Sequence, residues 1–179
     1  MQQLGLVLLF VVLIYTGTVV EFPIPGTTIM QTGQTIAVLC AGALLGTVLG
    51  GASVASYVLA GALGVPLFSE GASGLAVLSG PSGGYLVGFI AAAMMVGSFK
   101  QRGWCASFLA CFGCMFLGHA VILLCGWAWM STLMGSAEAY QNGIAPFYLG
   151  SFVKSWLAAA IVVIAQRYVA VLRTHATAQ

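Results

Sequence analysis

Long apolar runs take up most of this chain and confine its charges to the gaps between them. The runs are 4–20, 34–49, 52–64, 84–99, 104–133 and 150–173, and all three acids, Glu21, Glu70 and Glu138, fall in polar gaps. Lys100, Arg102, Arg167 and Arg173 sit in the other set of gaps or towards the end of the last run, which leaves Lys154 as the one ion set inside an apolar segment. Apolar residues make up 61% of the chain and charged residues 4%, against roughly 25% charged in a soluble domain. Eight charges among 179 residues could not solvate the surface of a soluble fold. The chain reads as an all-α integral membrane protein whose intramembrane lysine is the first place to look for function. A net charge of +2, scattered along the chain, gives nucleic acid nothing to bind.

A helix needs about 20 residues to cross a hydrocarbon core of roughly 30 Å. Runs one, five and six are long enough, while 34–64 reads as two short helices joined by a Gly-rich turn at Thr47 to Gly51. Six transmembrane helices result, in a single membrane domain over 1–179. Orientation follows from the basic residues. With the N-terminus inside, the inner gaps are 47–51, 99–103 and the tail after Ile164, which hold Lys100, Arg102, Arg167 and Arg173 and no acid. The outer gaps 21–33, 65–83 and 134–149 hold every Glu and no Lys or Arg. This bias places both termini in the cytoplasm, in a multi-pass protein of the cell (plasma) membrane. Met1 to Leu4 carries no basic residue and no small-residue cleavage site follows, so the first run is expected to stay as a helix. Trp104, Trp127 and Trp129 suit interfacial positions at the two ends of span five.

Gly42, Gly46 and Gly50, spaced by four, are expected on one helix face, and Gly84 and Gly88 repeat the spacing on span four. The five cysteines all lie in apolar stretches and are odd in number, which argues for packing rather than a disulfide framework. Cys111 and Cys114 form a C-x-x-C inside a membrane helix, where thiolate chemistry is disfavoured. His119 has no second His or carboxylate at i±3 or i±4, so a hydrogen bond to a neighbouring helix is expected in place of a metal. No nucleophile–base pair, paired carboxylates or phosphate loop is present, so neither an enzyme nor an ATPase is expected, and no cofactor. Loops 21–33 and 65–83 are long and carry apolar residues of their own, which suits lids folded over the mouth of a bundle. Lys154, four residues after Gly150, falls near the N-terminus of span six, where exposed N–H groups favour an anion such as a ligand carboxylate. Against this stands a lysine that snorkels to the interface or pairs with Glu21, Glu70 or Glu138.

Residues 78–89 read LSGPSGGYLVGF, after GVPLF at 64–68 and the preceding LCAGALLG and SYVLAGALG. This strongly resembles the BioY family, the biotin-binding S components of energy-coupling-factor (ECF) vitamin transporters. The matching stretches are Gln31-Thr32, Ala41 to Gly46, Tyr57 to Phe68 and Gly80 to Phe89, then Pro146-Phe147 with Gly150 and Lys154, so that the likeness covers about 30–170. It implies a six-transmembrane-helix S-component bundle for biotin transport, with biotin in a cavity open to the outside and loop one closing over it. Tyr85 and Phe147, with Trp127, are then pocket walls. Ser151, Gln31 and Asn142 are partners for the ureido ring, and Lys154 serves the valerate carboxylate or a polar network. Implied partners are a T component and ATPase subunits, or further copies of the chain acting alone.

Three departures from the family pattern stand out. Ser151 replaces an acid, loop one reads PGTTIMQT, and the A-x-x-x-A face of span one is missing. The first motivates an alternative, an S component for another small vitamin-like ligand. An alternative of a different class is a non-transporting structural membrane protein.

Overall fold

In a computed structural model the described residues are 1–22 and 31–177; for Glu21, Phe22, Gln31 and 172–177 the backbone alone is described. The element order is α1 (Gln2–Val19), β1 (Glu21–Phe22), β2 (Gln31–Thr32), α2 (Gln34–Ala62), α3 (Leu75–Ser79), α4 (Gly83–Gln101), α5 (Phe108–Met134), α6 (Ser136–Gly143) and α7 (Tyr148–Thr177). Short 3-10 turns at Ser69–Gly71 and Ala145–Phe147 complete it. The fold is helical apart from the ribbon β1–β2, in which Glu21 pairs with Thr32 and Phe22 with Gln31. Gaps expected to be loops therefore carry structure: the ribbon in 21–33, α3 in 65–83 and α6 in 134–149.

Among the described residues five helices are long and apolar enough to cross a membrane, where the sequence suggested six spans. The difference lies in α2, which is one element broken at Gly46, with φ 84° and ψ −178°. That conformation is open essentially to glycine alone. The expected turn at Thr47 to Gly51 is thus corrected to a single residue, and 47–51 already belong to the second arm. A straight helix would hold Gln34 and Tyr57, 23 residues apart, about 35 Å from each other. Instead Tyr57 Oη lies 3.1 Å from Gln34 Oε1. The arms 34–45 and 47–62 therefore fold back on each other. Gly50 is the contact between them, since a Cβ there would lie 2.7 Å from the Ala41 carbonyl oxygen. Gly42 serves a different neighbour, the Ala93 carbonyl of α4, so Gly42, Gly46 and Gly50 do not share one continuous helix face.

α4 packs between α2 and α5, α1 lies against α2, and α7 covers α5 and α2. The glycine spacing on α4 does what was expected of it: a Cβ on Gly84 would stand 2.5 Å from the Cys125 carbonyl, and one on Gly88 3.1 Å from Ile122 Cα. The core they enclose includes Ile14, Leu39, Val54, Tyr57, Val96, Met115 and Val162, while Leu8, Val48, Val87, Leu109, Leu124 and Ile164 remain exposed on the outer helix surfaces. Outward-facing apolar residues along every long helix are what lipid contact requires. α5 begins at Phe108, four residues later than the apolar run, because Ser107 caps it, its Oγ accepting from Ala110 N at 3.3 Å. All five cysteines are free thiols.

Two glycine replacements test the bend. Gly46→Ala is expected to cost about 1–3 kcal/mol through its backbone conformation, and its Cβ would stand 2.9 Å from Gln101 Nε2. Gly113→Ala, with nothing within 4 Å of its Cβ, should be neutral or stabilising. Thermal midpoints of the detergent-purified variants decide; equal midpoints would remove the bend from the account.

Candidate ligand cavity

Both ends of the α2 hairpin, the N-termini of α4 and α7 and the C-terminal part of α5 meet at one end of the bundle. Residues at that end fit together through missing side chains. The ring of Phe68 fills the space left by Gly61 and stands edge-on to Tyr57, with centroids 5.8 Å apart at 77°. The Tyr57 hydroxyl in turn donates to the Leu67 carbonyl at 2.8 Å and lies 3.1 Å from Thr18 Oγ1. One tyrosine thereby joins α1, both arms of α2 and the following segment. Gly83 and Gly84 let α4 start in contact with α3 and α5, and Trp129 Nε1 donates to the Gly80 carbonyl at 2.9 Å.

These contacts leave a cavity of about 340 Å³, inside the range of roughly 300–1,000 Å³ common for small-molecule sites. Tyr85, Phe147, Asn142, Ser151 and Lys154, five residues singled out from the sequence, all line it. The ring of Tyr85 occupies room left by Gly126, lies 6.4 Å from Phe147 at 46°, and its hydroxyl donates to the Gly143 carbonyl at 2.7 Å. Tyr85 is therefore a wall whose polar tip is already engaged in holding α6 to α4. Asn142 donates to the Glu138 carbonyl at 3.0 Å.

Lys154 is 8% exposed, and its Nζ donates to the Thr32 carbonyl at a long 3.4 Å. That bond uses one of three donors. Of the carboxylates weighed as its partner, Glu70 and Glu138 are exposed, and the Glu21 side chain lies outside the described residues. α7 begins at Tyr148, so Lys154 stands in its second turn, roughly 9 Å of rise beyond the first helical residue. The helix dipole fades within the first turn, so anion attraction here falls to the ammonium itself. Ser151, likewise past the helix start, does not cap α7; its carbonyl accepts from Ser155 Oγ at 2.7 Å.

Beneath these residues runs a buried polar chain. His119 Nδ1 lies 2.8 Å from Ser155 Oγ, and Nε2 lies 3.1 Å from Thr35 Oγ1. The single hydroxyl proton of Ser155 is committed to the Ser151 carbonyl. Ser155 therefore offers His119 a lone pair, which assigns the ring proton to Nδ1 and leaves Nε2 to accept from Thr35. His119 thus makes the interhelix bonds expected of it, to two helices at once. Among the described residues no group of three or more His, Cys, Asp or Glu is arranged to hold a metal.

One reading from the sequence needs correction, and another falls outside the described side chains. The segment QTGQT contains two Gln-Thr pairs, and Thr32 of the first and Gln34-Thr35 of the second line the cavity. The side chain of Gln31, the residue singled out from the sequence, lies outside the described residues. Trp127 is not among the lining residues; its Nε1 donates to the Ser136 carbonyl at 3.1 Å and ties α5 to α6. Ser155 was missed, although it follows Ser151 by one helical turn, which was signal enough.

A family model of the BioY family matches residues 1–171. The chain belongs to the BioY family. It is 34% identical over 169 residues to a probable biotin transporter BioY of Pyrococcus horikoshii, covering 93% of this chain and 95% of that protein. A probable biotin transporter BioY of Methanothermobacter thermautotrophicus is 38% identical over 130 residues, 67% of this chain and 83% of that one. The crystal structure of the S-component for biotin from an ECF-type ABC transporter superposes with a TM-score of 0.81 at 22% identity, covering 93% and 91% of the two chains. That likeness shows that the BioY-family chain has the S-component fold.

The buried chain yields a stability test. His119→Leu removes the partner of Thr35 and of Ser155, and each lost buried hydrogen bond should cost about 1–3 kcal/mol. His119→Asn, which keeps a donor near the Nδ1 position, should recover part of the loss. Thermal unfolding followed by tryptophan fluorescence checks both; a Leu variant with the wild-type midpoint would show that the chain adds nothing.

Proposed function

We propose that this protein is the biotin-binding S component of a vitamin transporter in the plasma membrane, capturing biotin in the cavity from the outside. The observation that carries the reading is a buried ammonium, Lys154, lining a cavity of suitable size in a chain of the BioY family. Biotin has an apolar fused bicycle, a ureido group with two N–H donors and one carbonyl, and a carboxylate tail. Phe89, Ile122, Met130 and Phe147 offer surface for the bicycle. Ser151, Thr35 and Gln34 are suited to ureido hydrogen bonds, and Lys154 to an oxygen of the carboxylate or the ureido carbonyl. Asn142 stands at the rim as a further polar partner.

The arms of α2 count as two short spans in this reading, which gives six helices. Lys100 in the last turn of α4 and Arg102 just after it lie at the end remote from the cavity, which supports a cavity that faces outward and termini that face inward. The chain carries no phosphate-binding loop, so energy for uptake must come from a T component with ATPase subunits, or transport proceeds through self-associated copies. Ser151 in place of a carboxylate favours one further reading, capture of a different small vitamin-like ligand by the same cavity.

Equilibrium binding of labelled biotin to the purified protein separates these, with retention at nanomolar concentration expected. No retention of biotin, with retention of another vitamin, would transfer the function to the second reading. Lys154→Ala should weaken biotin binding about tenfold or more, as expected when a charged hydrogen-bond partner is lost. An unchanged affinity for biotin and for its methyl ester would remove Lys154 from recognition.

A further inference from the structure

A second chamber adjoins the cavity. It measures about 420 Å³, lies under the segment that carries α3, and shares Gln34, Ser69, Glu70, Pro81, Ser82 and Leu86 with the first chamber. The residues found only in its wall are apolar or glycine, among them Phe68, Ala76 and Val77. Lys154 belongs to the first chamber alone, and among the described residues lining either one Glu70 is the one carboxylate. A ligand that extends from the first chamber into the second leaves Lys154 behind and keeps Glu70 beside it.

The backbone places Glu70 there at some cost. Its φ of 58° and ψ of 23° are left-handed, and it is the one residue other than glycine with positive φ among the described residues. A residue with a Cβ holds such a conformation when its surroundings enforce it. Here Phe68 N donates to the Ala72 carbonyl, Gly71 N to Phe68 and Ala72 N to Ser69, each at 3.1 Å, while the Phe68 ring is locked in the space at Gly61. The turn is anchored on both sides of Glu70, and the residue is held where the two chambers adjoin.

We propose that Glu70 determines which ureido-ring compounds the site accepts, favouring biotin amides whose tail ends in an ammonium. This rests on the biotin reading above. The ring system occupies the first chamber with Lys154 on the ureido carbonyl, the second of the two pairings given above, and the amide removes the negative charge that a free valerate would bring towards Glu70. The extension then lies along the apolar wall of the second chamber with its ammonium against the Glu70 carboxylate. A tail of the same length ending in a carboxylate meets like charge at that point and is disfavoured.

The test is competition against labelled biotin on the purified full chain. The probes are two amides of matched length, biotinyl-ethylenediamine, which ends in an ammonium, and biotinyl-glycine, which ends in a carboxylate. Wild type should prefer the first by about threefold to fivefold, the range open to an exposed charge pair. Glu70→Gln should bring the two within about twofold, and Glu70→Lys should reverse the order. Glu70→Gly, which the left-handed backbone accommodates, should remove the preference while keeping the wild-type thermal midpoint. Biotin retained by wild type with no difference between the amides, or a preference that survives Glu70→Gln, overturns the role of Glu70 and leaves the biotin reading standing. Failure of wild type to retain biotin or either amide overturns both.

Discussion

The break at Gly46 is the constraint on which the rest of the architecture depends. Without it 29 residues would run as one rod. With it, Gln34 and Tyr57 come within hydrogen-bonding distance and both ends of the hairpin arrive at the same end of the bundle. That end then receives the Thr18 and Tyr57 contacts, the Phe68 ring and the Gly33 N–H, which donates to Val20 O at 2.9 Å. The cavity is the space these elements cannot fill. Its outline is set by glycines at Gly61, Gly84 and Gly126, where an aromatic ring or a backbone carbonyl takes the place of a Cβ.

The inner wall is polar in a controlled way. Thr35, His119, Ser155 and Ser151 form a chain in which each proton has one destination, so a row of buried polar groups is accommodated without a charge. Lys154 stands next to it, and among the described residues its one hydrogen bond is the long one to the Thr32 carbonyl. Burying an ammonium with so little compensation is unfavourable, and in a membrane such a residue marks a place where something else completes its shell. In this fold the free space adjoining it is the cavity itself.

Much of this was legible in the sequence because membrane insertion separates polar from apolar residues so sharply. The helix positions, the isolation of Lys154 and the wall residues Tyr85, Phe147, Asn142 and Ser151 all followed from runs, gaps and motif resemblance. What was not legible depended on where helices begin and how they turn. That Gln34 and Thr35 also line the cavity depends on α2 starting at Gln34, which the repeated Gln-Thr pair conceals. The position of Lys154 in the second turn of α7 depends on the helix starting at Tyr148, just after the Pro146 turn. Glycines at a spacing of four suggest a shared face, and nothing in composition distinguishes Gly46, which leaves the helical region, from Gly42 and Gly50, which do not. Trp127 looked like a wall because aromatic residues near an interface and near a ligand look alike in sequence.

The hairpin has a further consequence for the lipid around it. Its arms, 34–45 and 47–62, rise roughly 18 and 24 Å, short of a hydrocarbon core of about 30 Å. At the bend Thr47 Oγ1 donates to Gln101 Oε1 at 2.9 Å, so polar groups are stationed at that depth. Acyl chains beside α2 and α4 must shorten or head groups must sink to meet them, a hydrophobic mismatch confined to one flank of the molecule. A bilayer with shorter acyl chains relieves it, so membrane thickness bears directly on the stability of the element that shapes the cavity.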